Sequence, residues 1–123
     1  MHLLVACLTV SLVLGTSCVA DTRPDPETCA QPAVTLDARL TNDALEPSSL
    51  EVCRDQVVTL HVAAEREGVL HIHGYDEQAA ELRPGETIQF QFVADHSGQF
   101  VIELHTNEET QGSELGVFTV HEP

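Results

Sequence analysis

Positive charge is scarce in this 123-residue chain. Five arginines and no lysine stand against 20 acidic residues, a formal charge of −15 at pH 7. Such a surface repels phosphate backbones and anionic headgroups, which removes nucleic acid from the candidate partners. The chain is too short for more than one domain, and 42% apolar content fills one modest core. It also lacks an apolar run of the roughly 20 residues that a spanning helix needs. Leu3 to Leu14 has instead the length of the apolar part of an export signal. Ser97, Ser113 and the threonines sit in no nucleophile turn, and no phosphate-binding loop is present. The neighbouring carboxylates Glu108 and Glu109 need not converge on a substrate. Catalysis would have to be metal chemistry, and the chain reads as a binding module rather than an enzyme.

Cysteines are few, and position separates them. Cys7 lies inside the apolar run, and Leu14-Gly15-Thr16-Ser17-Cys18 resembles a lipoprotein signal, in which the cysteine becomes the lipidated first residue. Residues 1–17 are therefore read as a signal peptide and Cys18 as the lipidation site. The protein is expected to be exported to the periplasm or cell surface and to touch the membrane only through that lipid. Residues 18–32, with Pro24, Pro26 and Pro32, read as a tether, and 33–123 as the domain. The remaining pair, Cys29 and Cys53, is expected to form one disulfide in an oxidising compartment. It would close a loop of roughly two dozen residues and contribute about 3 kcal/mol. The alternative, a thiolate metal ligand, places that ligand far in sequence from the histidine-rich segments.

Helical periodicity is almost absent from residue 33 onward. Val34, Leu36, Ala38 and Leu40 alternate with polar residues, as do Val58, Leu60 and Val62, and again Ile88, Phe90 and Phe92. Polar turns separate these runs, and Arg83-Pro84-Gly85-Glu86 has the Pro and Gly placement of a type II turn. Short alternating strands between turns indicate an all-β sandwich or barrel.

The chemistry-bearing residues concentrate in two places. Val69-Leu70-His71-Ile72-His73-Gly74-Tyr75-Asp76 puts two imidazoles two residues apart on a strand, hence on one face. Gly98-Gln99-Phe100-Val101-Ile102-Glu103-Leu104-His105 repeats the spacing with Glu103 and His105. Tyr75 and Asp76 are read as structural, a ring at the edge of the sandwich and a turn carboxylate, with Asp76 orienting an imidazole as the alternative. His61, His96 and His121 are read as polar residues at the surface.

From about residue 33 onward the order of these features resembles the cupredoxin fold, a Greek-key β-sandwich of seven or eight strands. The resemblance rests on the strand ending in His71, the Pro84-Gly85 turn, the Phe90/Phe92 strand, the corner 94–98 and the closing strand 116–120. Blue copper members of that fold use a His, a Cys, a second His and usually a Met. Here the Cys position falls at or next to Leu104 and the second His near Asn107, and the only methionine is Met1. The resemblance therefore excludes a blue copper centre. Multicopper oxidase domains are a closer comparison, with His-x-His-Gly on one strand and Gly-x-Phe-x-x-His-x-His on a later one. His71-Ile72-His73-Gly74 matches the first, and 98–105 matches the second with Glu103 in place of its first histidine. Those oxidases complete a trinuclear cluster with histidines from another domain, which this chain lacks.

The resemblance implies a mononuclear site of His71, His73 and His105. Glu103 would be a fourth ligand or an acceptor orienting an imidazole. That donor set suits copper, with zinc second. Because imidazoles ligate only when neutral, affinity should fall as pH drops through about 6. The expected function is an exported cupredoxin-like metal-binding module. The alternative is a metal-free interaction domain of the cell envelope with a protein partner.

Overall fold

The computed structural model describes residues 23–75, 78–106 and 112–123. Residues 1–17, read above as a signal peptide, with Cys7, and also Cys18, Asp76 and the Asn107–Glu109 stretch lie outside the described residues.

Among the described residues nine strands follow one short helix: α1 (Pro26–Ala30), β1 (Ala33–Leu40), β2 (Leu45–Glu46), β3 (Ser49–Cys53), β4 (Val57–Ala64), β5 (Gly68–Ile72), β6 (Ala79–Leu82), β7 (Thr87–Val93), β8 (Gly98–His105) and β9 (Ser113–His121). Seven or eight strands were expected, and the short β2 and β6 are the ones that no alternation marks. β2 is only two residues long, and the Ala79-Ala80 start of β6 carries little strand preference.

The strands form two sheets, ordered β2-β1-β4-β7 and β3-β9-β8-β5-β6. Alternation sorts each strand into an inner and an outer row. Leu40, Val58, Leu60, Val62 and Phe90 from the first sheet meet Leu50, Leu70, Ile72, Ile102, Leu104 and Phe118 from the second. Each fully buried Leu or Phe contributes about 1.5–3 kcal/mol. The predicted turn at 83–86 forms as expected: Gly85 has φ +84° and the Glu86 N–H donates to the Arg83 carbonyl at 3.0 Å.

Cys29 and Cys53 are joined by the expected disulfide. It reaches into the stretch read as a tether. There Asp25 caps α1 by accepting from the Thr28 N–H at 2.7 Å, and buried Gln56 donates to the carbonyls of Thr28 and Gln31 at 2.8 and 3.0 Å. Residues 25–32 are thus fixed to the sandwich. Among the described residues no helix is long and apolar enough to cross a membrane.

Candidate metal centre

Strand alternation builds this site. In β5 the side chains of Leu70 and Ile72 are buried, so His71 between them faces outward; in β8 buried Ile102 and Leu104 turn Glu103 and His105 outward. The antiparallel β5–β8 register sets His71 opposite Glu103 and Val69 opposite His105. Two pairs distant in sequence therefore share one patch on the outer face of the five-stranded sheet. One ligand atom each from His71, Glu103 and His105 lie within 4.8 Å of one another.

His73 borders that group from just beyond β5. Its N–H donates to the Val101 carbonyl at 2.9 Å, and its ring centroid lies 4.7 Å from that of His71. The chain turns away at Gly74, where φ is +80° and a Cβ would come within 2.4 Å of the Phe100 ring. Only glycine satisfies both conditions at that point, which accounts for the glycine after the two histidines.

Glu103 Oε2 is the hub. It lies 2.7 Å from His73 Nε2 and 3.1 Å from His105 Nε2. The hydrogen bond from His73 holds the carboxyl below its usual range, partial burial opposes this, and the charges of His73 and His105 reinforce it. On its other side a register shift in β9 sets Glu103 opposite Glu114. Two carboxylates directly across a ladder repel, and cationic or metal partners offset that cost. The Glu103 side chain is 17% exposed and that of His105 38%. A cation from solvent can reach both.

Gly112 closes one side of this patch. A Cβ built on it would stand 2.7 Å from His105 Nε2 and 2.9 Å from Glu103 Oε2. The space directly against two donor atoms is therefore open because residue 112 has no side chain. Sequence reasoning did not find Gly112 or Glu114, since both reach the site through the pairing of β8 and β9 rather than through local spacing.

The remaining histidines among the described residues are held elsewhere. Tyr75 is buried, with its ring 5.0–5.8 Å from those of Phe92, Phe100 and Phe118, and its O–H donates to the His96 carbonyl at 2.9 Å. Its role is structural, as expected. His96 stacks on it at 4.4 Å and uses its ring nitrogens on Asp95 and the Gly74 carbonyl. His61 lies between Asp37 and Gln89 on the opposite sheet. His121 departs from the expectation of an exposed residue: it is 21% exposed and pairs with Glu51 at 2.5 Å, because β3 lies alongside β9.

The geometry does not fit a blue copper centre. Leu104 is buried opposite Leu70, and among the described residues both cysteines are in the disulfide. Among the described residues no thiolate is available at the site.

No family model and no curated protein matches the sequence. Solved structures do match. Reduced auracyanin from Roseiflexus castenholzii superposes with a TM-score of 0.56 at 18% identity, covering 70% of this chain and 95% of that one. A copper binding protein in its apo form gives 0.59 at 11% identity, covering 74% and 90%. The copper nitrite reductase of Nitrosomonas europaea gives 0.57 at 16% identity, covering 73% of this chain and 42% of that one.

The fold is that of the cupredoxins. At these identities the likeness concerns architecture. The cupredoxin sandwich here carries a His/Glu/His group on a sheet face, and Leu104 is part of its core.

Proposed function

We propose that this cupredoxin-fold domain is an exported metal-binding module that holds Cu(II), with Zn(II) as the second candidate. The ligands are His71, His105 and Glu103, and His73 is either a fourth ligand or the partner that orients Glu103. The observation that carries this reading is the convergence of three ligand atoms within 4.8 Å on two strands whose register fixes them. Imidazole nitrogen and carboxylate oxygen suit both ions, and copper stands above zinc in the divalent affinity order. The open space at Gly112 supports the fit. The signal peptide and the lipid at Cys18 belong to the same proposal and would keep the domain outside the cytoplasm.

A second reading, a metal-free interaction domain of the envelope, is favoured by one observation. Glu103 Oε2 already has two imidazole partners and needs no ion to satisfy it. Thermal unfolding with and without metal separates the two. At a free Cu(II) concentration 100 times Kd, a folded-state site adds about 2.7 kcal/mol of stability and raises Tm accordingly. An unchanged Tm with both Cu(II) and Zn(II) would favour the metal-free reading.

A further inference from the structure

The edges of the two sheets are not equally protected. An edge strand presents unpaired backbone N–H and C=O groups, and proteins blunt such edges with short length, charge or proline. β2 has two residues and includes Glu46, β3 carries Glu51, and the four residues of β6 include Glu81. β7 is the exception. Thr87-Ile88-Gln89-Phe90-Gln91-Phe92-Val93 is seven residues long, with no charge and no proline, in a chain of net charge −15.

Hydrogen bonds at the two ends of the β4–β7 ladder show which groups remain. The Ala64 N–H donates to the Glu86 carbonyl at 2.8 Å and the Ala94 N–H to the Gln56 carbonyl at 3.0 Å. Antiparallel bonding alternates, so residues 86, 88, 90, 92 and 94 direct their backbone groups to β4. Those of Thr87, Gln89 and Gln91 point to the free side, where among the described residues no strand pairs. Thr87, Gln89, Gln91 and Val93 have exposed side chains, Val93 at 48%.

We propose that β7 is a self-association edge, which pairs antiparallel with β7 of a second copy and joins the two four-stranded sheets into one of eight strands. Charge selects the edge that a second copy would use: two chains of −15 repel over most of their surfaces, and among the described residues this is the edge strand without a carboxylate. The sequence is also self-complementary. With the twofold axis at Phe90, Gln89 faces the partner's Gln91, both with free backbone groups, and Thr87 faces the partner's Val93, whose N–H lies on the free side while its carbonyl accepts from the Asp95 N–H at 2.9 Å. The acidic flanks do not meet. Glu86 falls opposite the partner's Ala94, and Asp95 opposite the partner's Gly85.

Sedimentation of the purified full-length protein over a concentration series tests this. The expected result is a monomer–dimer equilibrium in the wild type and monomer in Gln91→Pro. Of the backbone groups that proline removes only an N–H on the free side, and the side-chain bond it loses, Gln91 to Thr59 Oγ1 at 3.5 Å, is a long one on the exposed face, so the β4 ladder and the circular dichroism spectrum stay intact. Should the proline variant fail to fold, paired charges decide. Gln89→Glu with Gln91→Glu sets like charges opposite across the axis and should raise the dimer Kd on the order of tenfold; Gln89→Lys with Gln91→Glu sets opposite charges there and should retain the dimer. A wild type that stays monomeric, or a dimer indifferent to these substitutions, overturns the proposal.

Discussion

Glu103 stands directly opposite His71 across the β5–β8 ladder, and the same Glu103 carboxylate accepts hydrogen bonds from His73 and His105. One acidic side chain thus links all three imidazoles. Replacing it isolates its contribution. Glu103→Gln keeps the shape and removes the negative charge, and calorimetric Cu(II) titration is expected to show an affinity loss of about 10- to 100-fold. Stability of the metal-free protein should change little, since the histidine partners are substantially exposed.

Gly112→Ala tests whether the open space beside the donors matters. The added methyl would lie 2.7 Å from His105 Nε2 and 2.9 Å from Glu103 Oε2, so these donor atoms must shift to admit it. Cu(II) affinity should drop at least about tenfold, as for other changes that disorient a ligand, with unfolding of the metal-free protein little altered. Wild-type affinity in this variant would show that the ion does not use this space.

Tyr75 gives a pH prediction. Burial raises its phenol pKa, the hydrogen bond to the His96 backbone opposes the rise, and the Asp95 charge adds to it. With the folded value above the unfolded one, the unfolded chain releases its proton first. Stability therefore falls as pH climbs above about 10 and continues to fall until the folded phenol ionises. The chain has one tyrosine and no tryptophan, so tyrosinate absorbance reports this residue alone. Its midpoint should lie higher in the native protein than in denaturant; equal midpoints would contradict the assignment.

The disulfide ties α1 to the end of β3 across 24 positions. Replacing Cys29 and Cys53 together by alanine should cost about 3 kcal/mol through the freedom regained by the unfolded chain. Chemical denaturation of the double variant measures this, and Cu(II) binding should persist because the bond lies outside the site.

The sandwich was legible because β1, β4 and β7 alternate cleanly, and the outward placement of His71, Glu103 and His105 follows from two-residue spacing on strands with buried neighbours. Their meeting was not a local property. It depends on the register that sets residue 71 opposite 103, which one strand's sequence does not encode. Gly112 and Glu114 escaped for the same reason. α1 was hidden by Pro24, Pro26 and Pro32, which together suggest an extended linker, although Pro26 suits the first turn of a helix.

The central claim is a metal site made by His71 and His105 together with Glu103. It is tested most directly by calorimetric titration of metal-free protein with Cu(II), comparing wild type with the His71→Ala, His105→Ala double variant. The account predicts one saturable site per chain in the wild type and its loss in the variant, with the fold retained. Equal weak binding by both proteins would contradict it.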